Sequence, residues 1–241
     1  MKLVVLTGAG MSAESGVPTF RDALTGLWSR FDAERLATPG AFRGDPDLVW
    51  GWYRWRAAQV LRARPNAGHD ALATLECLGH DVHVVTQNVD DLHERAGSTR
   101  VEHLHGRLLR SRCADCGAWR EPDPIVAPYD GPDDGRREAP PRCERCTGPL
   151  RPDVVWFGEA LPERAWDAAV SATAGADRVV VVGTSGLVQP AASLPTLARR
   201  RGVPVLEINP SRSALTHDVD DYWAMPASMG LLRFVDSLGA V

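Results

Sequence analysis

The chain has 241 residues, 44% of them hydrophobic and 24% charged, which suits one large domain or a domain with a small module. A net charge of −4 argues against a strongly basic nucleic-acid-binding surface. No stretch approaches the roughly 18 apolar residues of a membrane helix, and the apolar run Leu3–Leu6 is too short for a signal peptide. We therefore expect a cytoplasmic monomer without direct nucleic-acid or membrane binding.

Four short apolar runs predict the strands of a parallel sheet. They are largely continuous rather than alternating in polarity, as expected of strands covered on both faces. The runs occupy residues 2–7, 81–86, 177–183 and 203–209. Helical patterns at residues 66–80 and 191–201 lie between the runs, so the chain is predicted to have an α/β fold.

Two regions interrupt this alternation and predict a small second domain. Residues 21–65 are aromatic-rich with a helical pattern, and residues 107–152 hold two cysteine pairs around a Pro-, Gly- and Asp-rich middle. The sheet domain is then expected to comprise residues 1–20, 66–106 and 153–241.

The first predicted strand runs directly into a glycine-rich turn of the pattern G-x-G-x-x-A, Gly8-Ala9-Gly10-Met11-Ser12-Ala13. After a strand, such glycines permit a tight turn and let the backbone approach a pyrophosphate. Ordinary dehydrogenases carry an acidic residue about 20 positions later, at the end of a second strand. The stretch "TFRDALTGLW" shows no such strand, so we predict dinucleotide binding without the usual hydride-transfer arrangement.

The segment "GDPDLVWGWYRWRAAQVLRARP" predicts a helix with Asp45 as its N-cap and Pro46 at its first position. Tyr53 and Arg56 are three residues apart and share a face, and no acidic residue lies three or four positions from Arg56. A shielded guanidinium of this kind binds a carboxylate, stacks on a tryptophan or pairs with a distant acid. Arg54 is expected on a lighter, wetter face.

Polar residues end the second predicted strand, at the edge where an open parallel sheet binds its ligands. The residues in question are Thr86, Gln87, Asn88 and Asp90. His103 and His105 follow a few positions later, and histidine is the side chain best suited to proton transfer near neutral pH. Their proximity to the turn and the polar cluster favours a functional role over a structural one.

Four of the five cysteines form two C-x-x-C pairs, Cys113 with Cys116 and Cys143 with Cys146. Two such pairs predict a closed four-thiolate site for a structural zinc ion, with no open position for catalysis. Disulfides or a redox pair are the alternatives, and the expected cytoplasmic location and the doubled motif argue against them. Cys77 is expected to be a buried, small hydrophobic residue of a helix.

Read together, the motifs of this chain resemble those of the sirtuins, which are NAD-dependent protein deacylases. The motifs that occur in the sirtuin order are "GAGMSAESGVPTFR", "TQNVDDLH", "HG", the two cysteine pairs, "LRPDVVWFGE", "GTS" and "IN". The resemblance covers nearly the whole chain. It implies a Rossmann-like parallel-sheet NAD-binding domain, a smaller helical and zinc-ribbon domain, and an active site between the two.

The resemblance also implies which residues bind NAD and carry the chemistry. The expected NAD contacts are Gly8, Ala9, Gly10, Ser12, Ala13, Phe20, Arg21, Gln87, Asn88, Val89, Asp90, Gly183, Thr184, Ser185, Asn209, Pro210, Ser211 and Ala227. Asn88 and Asp90 would hold the nicotinamide carboxamide in the catalytic centre. His105 would be the general base that takes a proton from the ribose hydroxyls.

The pair Tyr53-x-x-Arg56 resembles the motif with which the desuccinylase and demalonylase branch grips the carboxylate of the acyl group. Ala37 resembles the small residue that widens the acyl pocket of that branch. The resemblance implies that an acyl-lysine protein or peptide contacts Ala37, Tyr53, Arg56, Val154, Trp156, Phe157 and Gly158. The expected products are free lysine, nicotinamide and 2′-O-acyl-ADP-ribose.

Other functions stay open at this point. A deacetylase or an ADP-ribosyltransferase without an acidic-acyl preference would share the same motifs. An NAD(P) oxidoreductase with a structural zinc ion would share the turn and the cysteines. A zinc-containing adaptor that senses NAD would need no catalytic histidine.

Overall fold

The computed structural model describes residues 1–18, 32–133 and 135–239, so the predicted NAD contacts Phe20 and Arg21 lie outside the described residues. The chain folds into two compact units. The sheet unit comprises Met1–Thr19, Arg64–Leu104 and Leu161–Val241, and the small unit comprises Phe20–Ala63 and His105–Ala160.

The strands in chain order are β1 (Lys2–Thr7), β2 (Asp81–Thr86), β3 (Val101–His103), β4 (Gly106–Cys113), β5 (Leu150–Val154), β6 (Arg178–Val182), β7 (Val205–Ile208) and β8 (Asp221–Trp223). A six-stranded sheet has the order β3-β2-β1-β6-β7-β8, and all of its pairings are parallel. The predicted parallel α/β sheet is confirmed. The two edge strands β3 and β8 were not predicted, because three residues are too few for a periodic signal.

The helices in chain order are α1 (Gly10–Ala13), α2 (Ala33–Leu36), α3 (Pro39–Gly44), α4 (Pro46–Arg62), α5 (Ala67–Cys77), α6 (Leu92–Ala96), α7 (Glu163–Ala174), α8 (Leu194–Arg200) and α9 (Ala227–Gly239). Short 3-10 turns lie at Pro124–Val126, Ala191–Ser193 and Thr216–Asp218. Within the described ranges, no helix combines the length and the apolar character that crossing a bilayer requires.

Both faces of the large sheet are buried, as the apolar runs predicted. Alternate residues of β1 point to opposite faces, so Leu3 and Val5 join one core cluster while Val4 and Leu6 join the other. Helices α5 and α9 supply the first cluster with large side chains such as Leu72 and Phe234. Helices α7 and α8 cover the opposite face.

The small unit combines α2, α3 and α4 with a two-stranded antiparallel sheet of β4 and β5. Its long helix α4 begins as predicted, because the Asp45 side chain accepts a hydrogen bond from the Leu48 amide and Pro46 occupies the first turn. The helix ends at Arg62.

The division into units differs from the expected domains at several boundaries. Residues 105–106 and 153–160 group with the small unit, residues 64–65 group with the sheet unit, and the first boundary falls before residue 20. The reason is local: β5 pairs with β4, and Val155 donates a backbone hydrogen bond to the His105 carbonyl oxygen at 2.8 Å. The Phe157 amide likewise donates to the Ala37 carbonyl oxygen at 2.9 Å.

Two predictions about burial are wrong. Cys77 is exposed, because it ends α5 on the side away from the buried Leu75. Arg54 is not on a wet face and keeps only 4% of its surface exposed. A distant segment of the small unit covers that face of α4 so closely that a Cβ on Gly51 would collide with the Arg136 carbonyl oxygen.

Arg54 holds the distant segment of the small unit against α4 by donating several hydrogen bonds to it. Its Nη1 donates to the carbonyl oxygens of Ile125 at 2.7 Å and Ala127 at 2.8 Å, and its Nη2 donates to Pro128 at 3.2 Å. Its Nε donates to Glu138 Oε1 at 3.2 Å. A methionine at position 54 would leave these acceptors, the buried Ile125 carbonyl oxygen among them, without their donor.

We expect Arg54→Met to lower the free energy of unfolding by about 3 kcal/mol, since truncating one partner of a buried charged cluster is strongly destabilising. Urea unfolding monitored by tryptophan fluorescence measures this change. Arg62→Met, an exposed position on the same helix, is the matched control and should change stability by less than about 0.5 kcal/mol. Equal stability of the two variants would contradict the structural role of Arg54.

Candidate active site

The glycine turn after β1 packs directly against the turn after β6. The Gly8 amide donates to the Val182 carbonyl oxygen at 3.0 Å, and the Gly10 amide donates to the Gly183 carbonyl oxygen at 2.8 Å. A Cβ on Gly10 would lie 2.8 Å from the Gly183 Cα atom, and Gly183 has a φ of 60°. A side chain is therefore excluded at Gly10 and at Gly183, and the backbone of the two turns approaches closely at one edge of the sheet.

This contact lies at the topological switch point of the large sheet. From β1 the chain proceeds outward to β2 and β3, and later returns to place β6 on the other side of β1. Ligands of open parallel sheets bind in the crevice at such a point, beyond the carboxyl ends of the strands. The structure thus brings the predicted contacts on the Gly8–Ala13 and Gly183–Ser185 segments together at the expected edge.

A compact group of buried polar side chains lies at the same edge. Ser12 Oγ donates to Asp90 Oδ2 at 2.9 Å, and Asn88 Nδ2 donates to Ser12 Oγ at 3.1 Å. All three residues are at most 7% exposed. Burial raises the pKa of the Asp90 carboxyl group above its usual value, while the hydrogen bonds from Leu92 and Ser12 oppose that rise.

The ends of β2, β6 and β7 are joined by side-chain hydrogen bonds. Gln87 Nε2 donates to Thr184 Oγ1 at 3.1 Å, and Asn209 Nδ2 donates to the Thr184 carbonyl oxygen at 2.8 Å. Pro210 and Ser211 are exposed just beyond Asn209. The other predicted NAD contacts of this unit are Ala9 and Ala13 around α1, Val89 after β2, Ser185 after β6 and the buried Ala227 at the start of α9.

Sequence reasoning missed a buried network behind the Asn88 loop. Thr7 and Thr86 are register partners at the ends of β1 and β2, and Thr7 Oγ1 donates to Thr86 Oγ1 at 2.8 Å. Thr86 Oγ1 also accepts the Asn88 amide hydrogen at 2.9 Å, and His93 Nε2 lies 3.1 Å from Thr7 Oγ1. Burial lowers the pKa of His93 to about 3, so its imidazole is neutral. The sequence signal that could have revealed this network is the threonine at the end of each of two successive strands.

The two histidines after β2 occupy different environments. His103 is buried, with Nδ1 3.0 Å from the Asn88 carbonyl oxygen and Nε2 2.9 Å from Glu94 Oε1, so it supports the Asn88 loop. His105 lies in the short connection between β3 and β4 and is half-buried. The structure therefore separates a buried, supporting histidine from a half-buried one.

The small unit brings the predicted acyl-group contacts together. Tyr53 is 2% exposed on α4, and its ring lies near that of Trp156, with the centroids 6.4 Å apart. Ala37 is buried and hydrogen-bonded through its carbonyl oxygen to the amide of Phe157.

Arg56 is half-buried on the same face of α4 as Tyr53. Val154 ends β5, and Gly158 follows with a φ of 89°.

The stacking alternative for Arg56 is present in the structure. Its guanidinium carbon lies 5.0 Å from the centroid of the Trp52 ring. A planar guanidinium that stacks by its face still directs its N–H groups outward from its edge, so stacking and carboxylate binding are compatible. Burial raises the pKa of the Tyr53 hydroxyl to about 12, and the positive charge of Arg56 opposes that rise.

The four paired cysteines converge as a metal-binding group. The sulfur atoms of Cys113, Cys116, Cys143 and Cys146 all lie within 4.8 Å of one another. The Sγ atoms of Cys113 and Cys146 are 3.4 Å apart, and those of Cys116 and Cys143 are 3.7 Å apart. Zinc–sulfur bonds of about 2.3 Å at tetrahedral angles place sulfurs about 3.8 Å apart, so the cluster fits a structural zinc ion.

We expect one zinc ion per chain, and we expect Cys143→Ser to lower both the zinc content and the stability. Structural zinc sites contribute on the order of several kcal/mol to folding, because the unfolded chain lacks the assembled ligands. Elemental analysis and thermal unfolding measure the two effects. Cys77→Ser is the matched control, since Cys77 is exposed and outside the cluster. Normal stability of a zinc-free preparation would refute the assignment.

Comparisons with known proteins agree with this geometry. The Sir2 family model matches residues 8–190. A protein of Corynebacterium glutamicum named NAD-dependent protein deacylase is 50% identical over 245 residues, which cover 98% of this chain and 91% of the relative.

Solved structures agree as well. A crystal structure of a Sir2 homologue in complex with NAD superposes with a TM-score of 0.87 at 47% identity, covering 98% of this chain and 90% of its own. A Sir2 protein bound to an acetylated peptide superposes with a TM-score of 0.83 at 29% identity, covering 99% and 94%. The glycine turn, the polar strand ends and the four-cysteine cluster agree with these matches, and we conclude that the chain belongs to the Sir2 family, the sirtuins.

Proposed function

We propose that this sirtuin removes succinyl and malonyl groups from protein lysine side chains in an NAD-dependent reaction, and that it also accepts acetyl-lysine. The observation that carries the acyl preference is the pairing of Arg56 with the buried hydroxyl of Tyr53 on one face of α4. The names of the similar proteins support the general activity, NAD-dependent protein deacylation.

NAD supplies a glycosidic bond whose cleavage drives removal of the acyl group. The glycine turns at the switch point accommodate its pyrophosphate, with Phe20 and Arg21 as further contacts. Gln87 contacts the ribose, while Asn88 and Asp90 hold the carboxamide of nicotinamide. Asn209, Pro210, Ser211 and Ala227 contact the adenosine part.

His105 acts as the general base of the reaction. Its imidazole takes a proton from a ribose hydroxyl so that this oxygen can attack the acyl carbon, whose bond to the lysine nitrogen then breaks and releases free lysine. The buried Thr7–Thr86 network and the separate contact of His103 with the Asn88 carbonyl oxygen keep the Asn88 loop in place during this step.

Arg56 and Tyr53 bind the distal carboxylate of the acyl group. A guanidinium forms charge-assisted hydrogen bonds with a carboxylate, and a phenol adds a neutral donor. Burial raises the pKa of Tyr53 to about 12, so its hydroxyl keeps its hydrogen at neutral pH. Buried Ala37 offers little side-chain volume, which leaves room for the longer acyl chain.

The substrate backbone adds as a strand along residues Val154–Gly158. Backbone hydrogen bonds of this kind provide affinity that depends little on peptide sequence. The exposed Phe157 and the left-handed Gly158 lie in this segment, next to the buried Trp156.

Hydrolysis of matched acetyl-, malonyl- and succinyl-lysine peptides, with and without NAD, tests the proposal. We expect NAD-dependent release of 2′-O-acyl-ADP-ribose, with a higher kcat/KM for the succinyl and malonyl peptides. A preference for acetyl-lysine would leave an NAD-dependent deacetylase. Transfer of ADP-ribose to protein without deacylation would identify an ADP-ribosyltransferase.

A further inference from the structure

Trp156 and Tyr53 are joined by a buried hydrogen bond whose direction is known from chemistry. Indole Nε1–H is a donor only, and it lies 3.0 Å from the Tyr53 hydroxyl oxygen. Both residues are 2% exposed. Tyr53 Oη is therefore the acceptor, and its own hydrogen must point away from the indole.

The Tyr53 hydroxyl hydrogen has no acceptor within hydrogen-bonding distance among the residues that the structure describes. A buried donor without an acceptor is costly, and such a group commonly awaits a ligand. Because the pKa of Tyr53 is raised to about 12, the hydrogen is present throughout the physiological pH range.

We propose that Trp156 is a positioning residue for acyl selectivity: its indole N–H occupies the Tyr53 oxygen and turns the phenol hydrogen toward the acyl carboxylate. This inference rests on the proposed preference for succinyl- and malonyl-lysine. An acetyl group ends in a methyl, which accepts no hydrogen bond, so the orientation of the phenol affects only the acidic acyl groups.

The surroundings of Trp156 hold its indole in one orientation. The guanidinium carbon of Arg151 lies 3.4 Å from the centroid of the indole ring, and Phe42 lies at 5.3 Å between ring centroids. Arg151 is itself fixed by two hydrogen bonds to Glu159, at 2.6 and 2.8 Å. Glu159 Oε2 also accepts the backbone N–H of Trp156 at 2.9 Å, so side chain and backbone are held together.

A hydrogen bond accepted by the phenol oxygen also polarises its O–H bond. Consecutive hydrogen bonds strengthen one another in a low-dielectric interior, so the bond from Trp156 makes Tyr53 a better donor to an anion. The orientation of the phenol hydrogen and the polarisation of its O–H bond both strengthen the hydrogen bond from Tyr53 to the acyl carboxylate. Both disappear when the indole N–H is removed, and neither has an effect when the phenol hydroxyl is absent.

The test is a double-mutant cycle of Trp156→Phe and Tyr53→Phe, with kcat/KM measured on succinyl- and acetyl-lysine peptides of the same sequence. We expect each single variant to lower the succinyl-to-acetyl ratio by roughly 3- to 30-fold, as residues in one hydrogen-bond network are coupled. The double variant should have the same ratio as Tyr53→Phe alone.

Trp55→Phe is the matched control, because it removes another indole N–H donor of α4, bonded to the Asp133 carbonyl oxygen at 2.8 Å. Its succinyl-to-acetyl ratio should equal that of the unmodified protein. Should Trp156→Phe fail to fold, benzothienylalanine at position 156 replaces N–H with sulfur at nearly the same shape, and the same lowered ratio is expected.

The outcomes separate this inference from the proposed function. If Tyr53→Phe lowers the ratio but Trp156→Phe leaves it unchanged, or if the two effects are fully additive, the positioning role is wrong and the acyl preference stands. If the unmodified protein shows no succinyl preference and Tyr53→Phe changes nothing, both are overturned.

Discussion

Replacing His105 with alanine is expected to lower kcat/KM for NAD-dependent deacylation by about 10²- to 10⁴-fold, the usual contribution of a positioned general base. The loss should appear on acetyl-, malonyl- and succinyl-lysine peptides alike, because the proton is taken from the ribose and not from the acyl group. Steady-state assays of nicotinamide release measure it, and NAD binding measured by calorimetry should persist.

His217→Ala is the control for this experiment. The side chain of His217 is 75% exposed and lies on the sheet unit, so its loss should leave turnover unchanged. Full turnover by the His105 variant would argue against the general-base role. No turnover by the unmodified protein, with NAD still bound, would instead favour a protein that binds NAD and a partner without catalysis.

Replacing Arg56 with methionine is expected to cripple removal of succinyl and malonyl groups while most acetyl-lysine activity remains. Truncating one partner of a partly desolvated, charge-assisted pair costs about 2–5 kcal/mol. At about 1.4 kcal/mol per tenfold change, this corresponds to a loss of roughly 30- to several-thousand-fold in kcat/KM. The measurement is the ratio of kcat/KM values for succinyl- and acetyl-lysine peptides of one sequence.

Arg62→Met controls for the loss of a charge from the same helix, since Arg62 is exposed at the end of α4. It should leave the ratio unchanged. An equal loss on both peptides for Arg56→Met would mean that Arg56 supports the fold, through its stacking on Trp52, and does not select the acyl group.

The sheet and its ligand-binding edge were predictable because their signals are local. Each central strand is buried on both faces, so apolar residues follow one another without a break, as at Val4 and Val5. The polar residues that end these strands, such as Asn88, stand out against that background. Strand order has no comparable signal, since the neighbouring positions of β1 and β6 depend on packing between segments far apart in the chain.

The sequence alone determined three features: the start of α4 at Asp45, the common face of Tyr53 and Arg56, and the paired cysteines. Helix caps, helical periodicity and metal-ligand spacing each depend only on residues a few positions apart in the chain. Only the tertiary structure decided that Arg54 is buried and that Trp156 donates to Tyr53. Burial and hydrogen-bond partners depend on which distant segment covers a given face, and the spacing of residues along the chain carries no information about that.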